Sequence, residues 1–340
     1  MHASYLKIGI AGLGRMGRHH ATNLAQRVEG AELVAGCSPL AEELSWARDT
    51  LGVAHGYAEY AQLLAHPGLD AVFLVTPTTL HADQIIAALD AGLHVFSEKP
   101  LALNVVDCLR VEKEAARHPK LTAMIGYVRR FDPSYRDAVE KIRAGAIGRP
   151  FLARSQTTDK NDPSGFFVRF APTSGGILLD MSVHDIDTAR WLLGAGRARR
   201  VFATGTIAIH EGLHQANDVD NAVATIEFEG GEIATIYASR TMAHGHDAMT
   251  EIFGTDGRIT VGQNPRLNRV EIADAWGVRN ECTPTFYERF AEAFLNEAQA
   301  FVDIVRENTA PPLTLHDATE ATRIGIAATE SLRSKRAVDL

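Results

Sequence analysis

The sequence predicts a doubly wound parallel α/β domain over residues 1–125, followed by an α+β domain with a large, mostly antiparallel open sheet over residues 126–340. Three observations carry this reading. One core rarely keeps growing beyond about 250–300 residues, so a chain of this length divides. Up to about residue 125, short runs that are apolar on both faces alternate with helical stretches. Beyond Gly126 the strand-like runs alternate polar and apolar residues instead, as in a sheet with one packed and one open face.

In the first part the strand-like runs are Leu6–Ala11, Glu32–Cys37, Ala71–Val75, His94–Ser97 and Leu121–Ile125. Helical patterns fill Arg18–Val28, Pro39–Leu51 and Leu80–Ala91, the last stopped by Gly92. Repeated βα units of this kind predict parallel strands covered on both faces. In the second part Gly145–Pro150 reads as a turn, Phe151–Thr157 as a strand, Asp159–Gly176 as a loop and Ile177–Leu193 as one helix. Antiparallel strands are expected at Ala198–Ile209, Asn221–Phe228 and Glu232–Ser239, with Gly230-Gly231 as a hairpin turn. Helices Thr285–Glu307 and Asp317–Lys335 follow, separated by Pro311-Pro312.

Composition excludes several classes. With 46% hydrophobic and 22% charged residues the chain is an ordinary globular one. A formal net charge of -8 argues against a nucleic-acid partner, which needs a basic face to neutralise phosphates. No apolar run approaches the roughly 20 residues that span a bilayer. Met1–Tyr5 leads straight into a strand, so no signal peptide and a cytoplasmic location are expected. Cys37, Cys108 and Cys282 are far apart and form no CxxC pair, which reads as reduced structural thiols without a metal site.

Gly12-Leu13-Gly14-Arg15-Met16-Gly17 stands between the first strand and a helix beginning near Met16. There Gly12 permits the tight turn, Gly14 lets backbone approach a pyrophosphate, and Gly17 allows close helix–strand packing. The helix N-terminus then offers free N–H groups to the phosphates. Arg15 reads equally as added positive charge or as a solvent-facing turn residue. NAD-specific domains commonly end their second strand in an acidic residue, and this chain has Cys37-Ser38-Pro39. Ser38 suits a 2′-phosphate or a ribose hydroxyl, so NAD and NADP both stay open, with NAD slightly preferred.

Two segments at carboxyl ends of predicted parallel strands carry chemistry-bearing residues: Thr76-Pro77-Thr78-Thr79-Leu80-His81 and Glu98-Lys99-Pro100. Pro100 directly after a buried strand suggests a fixed turn, open to a cis peptide, that aims Lys99 at the ligand. Asp180 and His184 are four residues apart, which on a continuous helix places them on one face. A carboxylate beside a histidine can hold its tautomer while the histidine relays a proton. The pair reads also as a structural hydrogen bond, and no third ligand has zinc spacing. Asp159, Asn161, Asp162, His244, His246 and Tyr287 are further polar residues able to shape a pocket.

Together, Gly12–Gly17, Thr76-Pro77 with His81, Glu98-Lys99-Pro100, and Gly175-Gly176 followed by Asp180 and His184 resemble the Gfo/Idh/MocA oxidoreductase family. In that family a Rossmann domain precedes a sheet domain for substrate binding and oligomerisation. Gly126–Asp132 and Thr173–Leu193 look like the corresponding segments of its inositol 2-dehydrogenases. The resemblance implies a cytoplasmic NAD(P)-dependent dehydrogenase that oxidises a ring hydroxyl of a cyclic polyol, with myo- or scyllo-inositol preferred. It implies a catalytic set of Lys99, Asp180 and His184. The cofactor would be held by Gly12, Gly14, Arg15, Met16, Gly17, Ser38, Thr76, Pro77, His81, Glu98, Lys99 and Arg129. The substrate would meet Lys99, Arg129, Asp159, Asn161, Asp180 and His184. A homodimer or homotetramer through the second domain's sheet is expected. The competing readings are an aldose or pyranose 1-dehydrogenase, an NAD-dependent glycoside hydrolase and a non-enzymatic dinucleotide sensor.

Overall fold

Residues 5–262 and 265–340 are described by the computed structural model; Met1–Ser4, which bore on the expectation of no leader, lie outside them. The chain forms two compact units, one of residues 1–131 with 292–319, the other of residues 132–291 with 320–340.

The first unit is built on strands β1 (Leu6–Ala11), β2 (Ala31–Cys37), β3 (His55–Tyr57), β4 (Ala71–Leu74), β5 (His94–Glu98) and β6 (Ala123–Gly126). Their order is β3-β2-β1-β4-β5-β6, all parallel. Strand order reverses between β1 and β4, where open sheets of this kind bind ligands beyond the strand carboxyl ends. The connecting helices are α1 (Arg15–Gln26), α2 (Ala41–Leu51), α3 (Tyr60–Leu64), α4 (Thr78–Asp90) and α5 (Val105–Arg117). The five expected strands are all present. The sixth, β3, is only His-Gly-Tyr and carries no apolar run to betray it. Helix α5, which the sequence reading did not assign, is capped by Asn104, whose side chain accepts a hydrogen bond from the Asp107 amide at 2.8 Å.

At the core of this unit Phe73 and Phe96 stack with ring centres 4.4 Å apart, and Phe301 meets Phe73 edge-on at 5.2 Å. Phe301 belongs to a late helix that begins in the second unit.

That second unit opens with α6 (Pro133–Arg143), whose cap Asp132 accepts from the Ser134 and Tyr135 amides. Next come β7 (Pro150–Lys160), α7 (Phe166–Ser174), α8 (Ile177–Asp180) and α9 (Val183–Leu193). Strands β8 (Ala198–Thr206), β9 (Asn221–Phe228), β10 (Ile233–Met242), β11 (Asp247–Gly254) and β12 (Gly257–Val261) follow, then a small hairpin of β13 (Ile272–Asp274) and β14 (Gly277–Arg279). Two long helices, α10 (Phe286–Glu307) and α11 (Leu315–Ser334), and the short β15 (Val338–Asp339) end the chain. Helix α10 is interrupted at Phe290 (φ -115°, ψ 17°), just before the chain passes into the first unit.

The seven-stranded sheet has the order β12-β11-β7-β10-β9-β8-β15. Only the β10–β7 pair is parallel, so the sheet is mostly antiparallel, as expected. Strands β11 and β12 escape the sequence reading; in β11 the polar Asp247, Thr250 and Glu251 break up the alternation, and β12 is only five residues long. Two further differences concern helices. The expected loop 159–176 contains α7, disguised by Pro172 inside it. The expected single helix 177–193 is two, α8 and α9, parted at Met181-Ser182. There the Ser182 amide reaches back to the Ile177 carbonyl, a turn one residue wider than an α-helix allows.

Helix α9 covers β7, β10 and β11. Ser155 and Thr157, two residues apart and so on one face of β7, donate to the two carboxylate oxygens of Asp185 at 2.6 and 2.7 Å. Asp185 is fully buried, and this pair of hydrogen bonds ties helix to sheet beside the buried Val183, Ile186 and Ala189. The opposite face carries the exposed Phe202, Val223 and Ile233. At about 1.5–3 kcal/mol for each hydrogen bond to a charged group, loss of the two bonds in Asp185→Ala should lower unfolding stability by about 3–6 kcal/mol. Urea denaturation followed by circular dichroism measures this, and a change below about 0.5 kcal/mol, the scale of a neutral surface substitution, would refute the tie.

Candidate active site

The glycine turn is shaped by close approach. Gly12 has φ +90°, and a Cβ on it would stand 2.3 Å from the Val75 carbonyl oxygen. A Cβ on Gly17 would stand 2.0 Å from the Gly12 carbonyl oxygen. Both positions therefore exclude every side chain, and together they press α1 against the carboxyl ends of β1 and β4. Gly14 differs, since a Cβ there would meet only Glu43, at 3.6 Å. Space above Gly14 is thus open, and α1 starts at Arg15 with no side chain capping its first amides and no acidic residue in its first turn. A pyrophosphate fits those amides and the positive end of the helix. Arg15 is exposed and Met16 half-buried beside them.

Ser38 sits at the end of β2 but does not face outward as the sequence suggested. It is 1% exposed, and its hydroxyl donates to Glu43 of α2 at 2.6 Å while accepting from the Leu40 amide. The acid near this strand end comes from the following helix, five residues later.

At the ends of β4 and β5, hydrogen bonds lock two loops together. His81 is buried, with Nδ1 2.8 Å from the Pro100 carbonyl and Nε2 2.9 Å from the Thr76 carbonyl. Burial pushes its pKa below the ordinary value despite the pull of those carbonyls toward the imidazolium. His81 thus positions the loops rather than presenting a ring nitrogen. Thr76 donates to Gln84 at 2.6 Å, and Pro77 is exposed at the N-cap of α4. The Lys99-Pro100 peptide is cis, and Lys99 is half-buried.

Glu98 is also a positioning group. One oxygen lies 2.8 Å from His20 Nε2 and the other accepts from the Lys99 amide at 3.2 Å. Burial alone would raise its pKa, but the bond to His20 and the charges of His20 and Lys99 outweigh it and hold the carboxyl below the ordinary range. A second carboxyl, Glu297 of α10, is fully buried nearby, and neither of its oxygens has a partner among the described residues. Burial, and then the charge of Glu98, push Glu297 well above the ordinary carboxyl range. The sequence reading missed both His20 and Glu297, whose only signal was a polar residue on the apolar stripe of a helix. Arg129 is buried in a short 3-10 turn, Val128–Phe131.

In the second unit Asp180 ends α8, where it accepts from Arg240 Nη2 at 2.8 Å. Arg240, from β10, is 1% exposed and its guanidinium lies 4.9 Å from the Phe167 ring centre. The sequence reading did not find Arg240 because sixty positions separate it from Asp180. Half-buried His184 lies on the first turn of α9, across the Met181-Ser182 break, so the two belong to different helices instead of one continuous face. Gly175 and Gly176 (φ +82° and +94°) lead into α8, where the Ile177 amide donates to Asp218 at 3.1 Å. Asp159 pairs with buried His246 at 2.9 Å, whereas the Asn161 Oδ1 is buried without a partner among the described residues and so suits a hydroxyl donor.

Comparison with known proteins places these features. Residues 6–127 match the family model described as "Oxidoreductase family, NAD-binding Rossmann fold", and residues 135–260 match "GFO/IDH/MocA C-terminal domain". The chain belongs to the Gfo/Idh/MocA oxidoreductase family. It is 39% identical over 335 residues to scyllo-inositol 2-dehydrogenase (NAD(+)) of Bacillus subtilis, covering 98% of this chain and 96% of that one. It is 35% identical to myo-inositol 2-dehydrogenase of Thermotoga maritima, covering 98% of each. Among solved structures, scyllo-inositol dehydrogenase from Lactobacillus casei with bound NAD(H) and scyllo-inositol superposes with a TM-score of 0.95 at 38% identity, covering 99% of both chains.

The raised Glu297 gives a signed pH dependence. The folded chain keeps a proton there that the unfolded chain releases near the ordinary carboxyl pKa of about 4.3. Stability from such a group is fully present below that value and is lost as pH rises through the folded pKa. Glu297→Gln removes this loss, so its melting temperature should gain on the wild type as pH rises from about 4.3. A difference that stays constant across a pH series of thermal melts would contradict a neutral Glu297.

Proposed function

We propose that the protein oxidises a ring hydroxyl of a cyclic polyol, myo- or scyllo-inositol, to the keto-inositol with NAD as hydride acceptor. The observation that carries this is the full-length likeness to enzymes named for that reaction, in a chain that carries Lys99, Asp180 and His184. Residues 1–125 supply the dinucleotide-binding part of this reading and residues 126–340 the substrate-binding part. When bound, the nicotinamide supplies the redox chemistry by taking a hydride from the alcohol carbon.

The chain supplies placement and proton transfer. Gly12, Gly14, Arg15, Met16 and Gly17 hold the pyrophosphate, and Thr76, Pro77 and Arg129 line the remaining cofactor. Lys99 bonds the nicotinamide ribose and the reacting hydroxyl, its backbone fixed by Glu98 on one side and by the His81–Pro100 bond on the other. His184 takes the hydroxyl proton as general base. Asp180 orients substrate and imidazole while Arg240 holds its carboxylate in place. Asp159 and Asn161 bond other ring hydroxyls, and a site of many such partners rejects analogues lacking one of them. The reading includes a cytoplasmic homodimer or homotetramer, supported by the exposed Phe202, Val223 and Ile233 on one face of the large sheet.

Purified protein should reduce NAD in the presence of an inositol, followed by absorbance of the reduced nicotinamide. No reduction of NAD or NADP across a panel of inositols and aldoses would end the dehydrogenase reading. Lys99→Ala and His184→Ala should each lower turnover about a hundredfold or more, the scale of lost acid–base catalysis. A variant with near-wild-type turnover would remove that residue from the scheme. Light scattering should give a dimer or tetramer mass, and a concentration-independent monomer would contradict the assembly.

A further inference from the structure

We propose that Glu43, on the first turn of α2, recognises the hydroxyls of the adenosine ribose and excludes a 2′-phosphate, with Ser38 as the residue that holds its carboxylate. This rests on the dinucleotide reading above and deepens it at the adenosine ribose.

The placement follows from three contacts. Ser38 is buried and its hydroxyl is already engaged, donating to Glu43 Oε2 at 2.6 Å and accepting from the Leu40 amide at 3.1 Å. Ser38 therefore offers nothing to a ligand directly. The other carboxylate oxygen, Glu43 Oε1, stands 3.6 Å from where a Cβ on Gly14 would lie, with no other atom within 4 Å among the described residues outside the turn's own backbone. One carboxylate thus touches both landmarks of the nucleotide site: the glycine under the pyrophosphate and the end of β2. In this fold the adenosine ribose lies between those landmarks, where an acid ordinarily ends the second strand. Here the strand ends in Ser38, and α2 returns the acid from five residues further on.

The half-buried carboxylate accepts hydroxyl hydrogens readily and repels a 2′-phosphate. The surrounding charge sharpens the test. Arg15 begins α1, and the Arg18 guanidinium lies 5.0 Å from the ring centre of Trp46, which is three residues after Glu43 on α2. With Glu43 made neutral, the repulsion of the additional phosphate is removed. Glu43 is accordingly a specificity-determining residue, and Ser38 a positioning residue that acts through it.

The experiment is equilibrium titration of wild type, Glu43→Gln, Glu43→Ala and Ser38→Ala with NADH and with NADPH, followed by nicotinamide fluorescence. Thermal melts identify which variants are folded. Wild type should bind NADH at least about tenfold tighter than NADPH, since like-charge juxtaposition is strongly unfavourable. Either Glu43 variant should shrink that ratio about tenfold or more, by weaker NADH and stronger NADPH binding. Ser38→Ala should move it in the same direction by less, a result that a merely structural Ser38 would not give. A wild type without preference, or a folded Glu43 variant that keeps the full preference, overturns the proposal. Wild type that binds neither nucleotide overturns the dinucleotide reading beneath it as well, which separates the two failures.

Discussion

The contact between Gly17 and the Gly12 carbonyl is the constraint on which the site depends. With a Cβ on Gly17 only 2.0 Å from that oxygen, α1 could not lie so close to β1. The start of α1, with its uncapped amides, would then leave the point where strand order reverses. Everything proposed for the cofactor follows from this placement: the open space over Gly14, the carboxylate of Glu43 beside it, and the ends of β4 and β5 on the other side of the reversal.

Around that point the fold uses buried polar groups to fix loops that a hydrophobic core alone would leave adjustable. His81 stands within hydrogen-bond distance of two carbonyls from different loops, and Glu98 bridges His20 and the backbone of Lys99. In the second unit Arg240 holds Asp180, and Asp185 holds Ser155 and Thr157. Groups this deeply buried are stable only when bonded, so each restricts its neighbours to one arrangement. Several residues that the family resemblance places among cofactor contacts thus direct their polar atoms to neighbouring protein groups. His81, Glu98 and Ser38 are the clearest examples.

How much of this was legible in the sequence depended on range. The glycine turn, five of the six parallel strands and the β9–β10 hairpin are specified by neighbouring residues, and a linear reading finds them. The short β3, the polar β11 and the Pro-containing α7 lack the local pattern and were invisible. The spacing of Asp180 and His184 was read as one helical face because nothing local marks the wide turn at Met181-Ser182. Pairings between distant elements, Arg240 with Asp180 or Glu297 beside Glu98, leave no trace in spacing. Even Ser38 and Glu43, five residues apart, needed the geometry of the strand-to-helix connection to be seen as one unit.

Transfer of label tests the central claim most directly. Inositol deuterated at the reacting carbon should pass its deuterium to the nicotinamide, giving reduced cofactor one mass unit heavier by mass spectrometry. Deuterium appearing only in water, or reduced nicotinamide that carries none, would contradict direct hydride transfer and with it the assignment of this site to alcohol oxidation.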